Sequence, residues 1–241
     1  GPMSRGLGDV YKRQGLEIMR HTLTAQVLAR AVKNLFPGTK LAIGPTITDG
    51  FYYDFEFKKA ISPEDLGSIE KEMKKIISSN SAITKKLNTK EEAIEIFKLE
   101  GEPYKESIIN DSEQEDGFQL YYQDDSKFVD LCRGPHIPSL KHIGAFKLLK
   151  IAGAYWKGDS NNKMLTRIYG TAWKNEKDLS AYLDRIEEAE KRDHRKLGKE
   201  MNLFHFQEEA PGMVFWHPDG WTIYRLLESY MRSNLELCGY K

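Results

Sequence analysis

The chain has 241 residues, 40% hydrophobic and 11% aromatic, enough to bury a core for one large or two modest domains. Lys+Arg and Asp+Glu both number 36, so any contact with nucleic acid must come from a local basic patch and not from the whole-molecule field. The sequence has no apolar run of about 18 residues and no apolar centre near its start, which argues against a helical membrane span and a secretory signal. Its two cysteines, Cys132 and Cys238, lie far apart and form no disulfide framework, as suits a reducing cytoplasm.

Residues 1–14 carry no apolar period, and Gly1-Pro2 before Met3 resembles a protease-cleavage scar, so they are read as a leader foreign to the fold. Leu28, Val32 and Leu35, with Ala25, Ala31 and Phe36 nearby, predict a helix from about residue 22 to Leu35, closed by Pro37-Gly38. His21 stands at the start of its buried face. The runs Leu41 to Ile47 and Phe51 to Phe57, around Thr48-Asp49-Gly50, read as a β-hairpin. Ser62-Pro63-Glu64-Asp65 has the oxygen-bearing cap, early proline and acids of a helix start, and leads a helix to about Ser78. Thr89-Lys90-Glu91-Glu92 is a capping box before Ala93-Ile94, Phe97 and Leu99. Both read as surface helices on a sheet.

From Gly101 to Gly170 the pattern is mostly strands and turns, including 118–122, 128–131 and 146–151, with a tight aromatic turn through Gly153-Ala154-Tyr155-Trp156 and Gly158 to Asn162. Helices followed by strand pairs, without a βαβ rhythm, predict an α+β fold of helices on a mostly antiparallel sheet over residues 15–175. Within it, Asp130-Leu131-Cys132-Arg133-Gly134-Pro135-His136 sets a thiol and an imidazole four residues apart behind a carboxylate. These groups can bind a metal, move a proton or position a water. Taken alone, the same spacing better describes a buried structural cysteine and a turn histidine.

Leu179, Tyr182, Leu183, Ile186, Ala189 and Leu197 line one side of a long charged helix from about Glu176 to Met201, a linker over 176–202. Residues 203–241 then open a further domain, with a strand at Met213 to Trp216, a turn at Pro218-Asp219-Gly220 and an amphipathic helix from Thr222 to Leu237. Some forty residues cannot fold alone without staples, so the chain reads as a fragment of a longer protein.

His21, the run Ile43-Gly44-Pro45 to Gly50-Phe51-Tyr52-Tyr53-Asp54, Glu102-Pro103-Tyr104-Lys105, the segment Asp130 to His136, Ala152 to Trp156 with Gly158 to Asn162, and Arg167-Ile168-Tyr169-Gly170-Thr171-Ala172 occur in that order. Together they resemble the editing domain of bacterial threonyl-tRNA synthetases, a domain type shared with alanyl-tRNA synthetases. Lys191-Arg192-Asp193-His194-Arg195-Lys196-Leu197-Gly198 and Glu208 to His217 resemble that family's linker helix and the truncated start of its class II catalytic domain.

The resemblance implies a protein that charges threonine tRNA with threonine, in the cytoplasm and as a homodimer. ATP, magnesium and zinc would serve the catalytic part, whose arginine-bearing motifs lie downstream of this sequence, so the chain itself is expected not to aminoacylate and to be a monomer or to make a partial contact. The expected activity is hydrolysis of serine wrongly esterified to the terminal ribose of threonine tRNA, without a cofactor. One methyl group separates serine from threonine by only about 1–3 kcal/mol, too little for a binding site alone. Ester hydrolysis needs a placed water, a proton acceptor and positive charge near the developing oxyanion. The resemblance supports His21, Tyr53, Lys105, Asp130, Cys132 and His136 as site residues, and the division of labour is inferred from chemistry: Lys105 can supply the charge, His21 and His136 the water, ribose or proton relay, and Asp130 the orientation of an imidazole or the substrate amine. Tyr53 would wall or hydrogen-bond the substrate, Cys132 would pack beside the pocket, and Lys191, Arg192, Arg195 and Lys196 would contact tRNA phosphates. His142, His194 and His205 read as structural or solvent-facing.

One departure matters. The family carries a second histidine four residues after the first, whereas here that position is Ala25. Aligned from Ala31 onward, Gln26 takes its place, as though one residue had been inserted among Thr22, Leu23 and Thr24. Neither is a good zinc ligand, leaving His21, Cys132 and His136 as an incomplete metal set and the site as metal-free. An inserted residue would also turn a helix by about 100° and displace His21. A passive tRNA-docking module with a disabled pocket, and a zinc-dependent hydrolase, are the competing readings.

Overall fold

The computed structural model describes residues 13–114 and 117–240, so most of the supposed leader lies outside the described residues. Two compact units divide it, one ending at Leu179 and the other beginning at Ser180.

In the first unit, α1 (Arg13–Thr22) buries Met19 and ends on the residue after His21. Arg13 and Gln14, read from sequence as leader, form its first turn. The next residues, Leu23–Leu28, widen into a π turn, with the Ala29 N–H reaching back five residues to the Thr24 carbonyl, before α2 (Ala29–Leu35) resumes α geometry. A π turn takes up one more residue than an α turn. A π turn at this place can therefore take up an added residue locally, without the rotation of about 100° that an α turn would impose. All six residues of the turn are buried. Its distortion is held from outside: Gln123 Nε2 donates to the Gln26 carbonyl at 2.7 Å, and Arg30 grips Gln123 Oε1 at 2.7 Å and Asp125 at 2.8 Å.

Strands β1 (Lys40–Leu41) and β2 (Thr46–Ile47) both pair antiparallel with β3 (Gly50–Glu56). The predicted first arm of the hairpin is thus broken at Ile43-Gly44-Pro45, although Asp54 N still bonds the Ile43 carbonyl at 2.8 Å. Gly44 is required there, because a Cβ would stand 2.2 Å from the Tyr53 ring. After α3 (Asp65–Ser78) come β4 (Ile83–Asn88), α4 (Lys90–Glu100) and α5 (Pro103–Asn110). The capping box forms as read, Glu92 N meeting Thr89 Oγ1 at 3.2 Å and Thr89 N meeting Glu92 Oε2 at 2.9 Å. Sequence reading missed β4 and α5.

The unit continues through β5 (Phe118–Gln123), β6 (Val129–Leu131), β7 (Ala145–Tyr155) and β8 (Met164–Trp173). One sheet runs β1-β3-β8-β7 and a second runs β4-β5-β6, each pair antiparallel. Phe51, Tyr53, Phe55 and Ile168 of the first sheet pack against Met19, Leu23, Leu28, Ile69 and Met73 from the helices. Ala93, Phe97 and Ile109 cover the second at Phe118, Leu120 and Val129. Each large apolar side chain buried here contributes about 1.5–3 kcal/mol, which fixes the two sheets as the frame for the groups below. The mixture of helices and antiparallel sheets is α+β, as expected.

The boundary between the units falls inside α6 (Glu176–Lys191). The predicted single helix to Met201 is interrupted: Asp193 leaves helical geometry and caps α7 (His194–Glu200) by accepting from Arg195 N at 2.8 Å. Strands β9 (Phe204–His205) and β10 (Phe215–Trp216) pair antiparallel. The supposed turn at Pro218 is the first turn of α8 (Pro218–Leu237), where proline presets the backbone and its missing N–H costs nothing. Among the described residues, no helix is long and apolar enough to cross a membrane.

Candidate active site

A cleft of about 620 Å³ opens in the first unit, within the usual range for a small-ligand site. The last turn of α1 brings His21 to it, α5 brings Lys105, and β6 with its following residue brings Asp130 and Cys132. Its opposite wall is the Ile43-Gly44-Pro45 interruption of the sheet.

Lys105 depends on how α5 begins. Glu102 stands at the residue before the helix without capping it, and its carboxylate accepts from Leu41 N at 2.7 Å and from Lys33 Nζ at 2.5 Å, tying α5 to β1. Burial pushes this carboxyl up, against the pull of those donors. One turn on, Lys105 Nζ lies 2.6 Å from Asp130 Oδ1, with side chains only 3% and 1% exposed. Burial likewise raises the Asp130 carboxyl, while the ammonium beside it draws it back. Two charges out of water hold only while both are present.

The imidazoles have assignable tautomers. Thr22 Oγ1 donates its proton to the Ile18 carbonyl at 2.9 Å and accepts from Ile137 N at 3.0 Å, so His136 Nδ1, at 3.1 Å, must donate to it. His136 Nε2 then carries a lone pair, buried and without a partner among the described residues. His21 Nδ1 donates to the Pro135 carbonyl at 3.3 Å, leaving Nε2 to accept from the Cys132 thiol at 2.9 Å. The two rings stand 4.6 Å apart. Burial lowers His21 below its usual value and holds His136 at about 3, so both are neutral near pH 7. Burial pushes the Cys132 thiol up to about 11, keeping it protonated and a poor nucleophile.

The six residues singled out by sequence in this unit gather, but not all reach the cleft. His21, Lys105, Asp130 and Cys132 line it. Tyr53 is fully buried, its hydroxyl 3.5 Å from Asp130 Oδ2 and its ring centroid 5.5 Å from Lys105 Nζ. It backs the ion pair and forms no wall for a ligand. His136 lies behind His21, edge-on to Tyr121.

The sequence covering this geometry is not isolated. A family model described as the threonyl and alanyl tRNA synthetase second additional domain matches residues 119–169, a stretch that includes Asp130, Cys132 and His136. The threonine-tRNA ligase of Hahella chejuensis is 56% identical over 228 residues, 95% of this chain and 35% of that protein. Along almost its whole length the chain matches threonine-tRNA ligases. Relatives from Legionella pneumophila strain Corby, 58% identical over 226 residues, and Prochlorococcus marinus, 53% over 223, are similar across 94% and 92% of this chain. The chain spans about a third of the length of these threonine-tRNA ligases.

The π turn places Ala25 on the cleft and hands Gln26 to Gln123. One donor atom each from His21, Cys132 and His136 still lies within 4.8 Å of the others. With the unpartnered His136 Nε2, this set fits three ligands of a zinc ion, provided the thiol loses its proton.

The basic run sits in the second unit and is compensated residue by residue. Lys191 pairs with Glu187 at 2.7 Å, Arg192 with Glu188 at 3.2 Å, Arg195 with Asp193 at 2.6 Å and Lys196 with Glu200 at 4.0 Å. Sequence reading missed Thr22, Glu102 and Gln123, which position the others. For Glu102 the signal was present: an acid just before a proline that follows a glycine, the marks of one helix ending and another beginning.

Proposed function

We propose that this cleft hydrolyses the ester joining a wrongly loaded serine to the terminal ribose of threonine tRNA, as the proofreading part of a cytoplasmic enzyme that charges that tRNA with threonine. The observation carrying the reading is the convergence of a buried ammonium, its carboxylate partner and a neutral imidazole on one open cleft.

Water entering beside His21 displaces the thiol from Nε2 and is held there as a hydrogen-bond donor. It attacks the ester carbonyl as its proton passes to Nε2, and Lys105 stabilises the oxyanion that forms. The acyl–oxygen bond then breaks, and the ribose oxygen takes the proton back from His21, releasing serine and uncharged tRNA. Asp130 keeps the ammonium directed, its other oxygen facing the buried Tyr53 hydroxyl. His136, fixed by Thr22, holds the ring of His21 in place.

The lone pair on His136 favours a second reading, in which His21, Cys132 and His136 hold zinc. The metal would supply an activated water at neutral pH. Lys105 and Asp130 would keep the same duties.

The test is release of serine from mischarged threonine tRNA by the purified chain, before and after chelation. Metal-independent release that Lys105→Ala lowers at least about 100-fold supports the first reading. Release abolished by chelator and restored by zinc selects the second, and tRNA binding with no release leaves only a docking module.

A further inference from the structure

The cleft's charges nearly cancel, and the one left over identifies a further contact. Five formally charged residues line it: Lys105, Arg133 and Lys157, with Asp111 and Asp130. Lys105 is matched by Asp130 at 2.6 Å, and Lys157 by Asp111 at 2.5 Å. Arg133 is exposed and takes part in none of the ion pairs among the described residues. Among the described residues, a single guanidinium without an ion-pair partner thus stands on the lining of a cleft whose other charges are paired.

Its backbone is held while its side chain is free. On one side Cys132 N bonds the Gln119 carbonyl at 3.2 Å. On the other, Gly134 adopts φ +64° and lies so close to Tyr121 that a Cβ would meet the hydroxyl at 2.0 Å. Beyond it, the Pro135 carbonyl is the acceptor for His21. The segment that carries Arg133 is therefore the one that orients the imidazole. An anion gripped by Arg133 would be registered directly against that imidazole.

We propose that Arg133 binds the phosphodiester adjoining the terminal ribose of the nucleic-acid substrate, a step that rests on the hydrolytic reading above. In such an ester the reacting carbonyl sits on the ribose, and the nearest anion is the phosphate one sugar away. A guanidinium matches a phosphate with paired hydrogen bonds, which a lysine ammonium does not reproduce. The contact is made equally to substrate and transition state, so it acts on affinity and leaves the chemical step alone.

The experiment compares wild type, Arg133→Ala and Arg133→Lys on two esters: seryl-tRNA and seryl-adenosine, which lacks the phosphodiester. On seryl-tRNA, Arg133→Ala should raise KM about ten-fold with kcat within about two-fold, and Arg133→Lys should recover part of the loss. On seryl-adenosine the three proteins should be equal. Affinity for a short single-stranded RNA with the tRNA 3′ sequence should fall likewise, and the slope of log affinity against log salt should become shallower by about 0.7. Equal losses on both esters, a loss confined to kcat, or an unchanged salt slope would overturn the assignment. If the wild type hydrolyses neither ester, the hydrolytic reading fails by itself, and the RNA-binding arm still decides whether Arg133 holds a phosphate.

Discussion

The pair Lys105–Asp130 and the pair Lys191–Glu187 are the same chemistry in different surroundings. Their separations are 2.6 and 2.7 Å, yet the first is 3% and 1% exposed and the second 57% and 65%. In water the second gains little, because solvent screens it and two long side chains lose freedom. In the first, each charge is tolerable only through the other. A cation's sequence neighbourhood says little about its importance, and what decides is whether its carboxylate partner has also been taken out of water.

The largest effect that can break this contrast is at Lys105. Lys105→Ala should cost about 3–5 kcal/mol in denaturant unfolding, because it strands Asp130, together with the loss of hydrolysis. Adding Asp130→Asn should return much of the stability and none of the activity, a separation that Lys191→Ala with Glu187→Ala has no counterpart for. Next comes the brace on the π turn. Gln123→Leu takes the side-chain donor from the Gln26 carbonyl and leaves Arg30 with Asp125 alone, and should cost about 1–3 kcal/mol by thermal unfolding and reduce kcat through His21.

A pH series sharpens the comparison further. His136 sits at about 3 in the fold against about 6.5 for an unfolded chain. Between those values the unfolded state binds the extra proton, so stability present above pH 6.5 is lost progressively as pH falls toward 3. The melting temperature should drop over that interval, and His136→Gln should flatten the drop. The smallest effect belongs to the exposed run: Lys191→Ala, Arg192→Ala and Lys196→Ala should leave the melting temperature unchanged in calorimetry. A clear fall there would erase the distinction between the two regions.

What was legible in the sequence follows the range of the causes. The capping box at Thr89 is a contact three residues long, and it could be read directly. The break at Asp193 is equally local, but it hid among charges that all looked solvent-facing. β4 escaped because Lys85 and Lys86 give it no alternation, and all its residues are exposed or half-buried. α5 was obscured because Glu102 to Lys105 was read as a motif before it was read as a helix start. The departure at Ala25 was visible, but the π turn that places it was not. It depends on Gln123, 97 residues further along, and no local pattern announces that partner. The site residues emerged from ordered resemblance, since a cysteine and a histidine four apart carry no such message alone. The division of those residues into cleft lining and backing, with Tyr53 and His136 behind, needed coordinates.

The π turn lets one helix obey two masters. Upstream, His21 faces the cleft, and downstream, Val27, Leu28 and Val32 face the core. In an uninterrupted α-helix these two phases would be locked together at 100° per residue. The extra residue works as a slip joint, and losing a single codon between Thr22 and Gln26 would force the polypeptide to keep either its chemistry or its packing in phase, but not both.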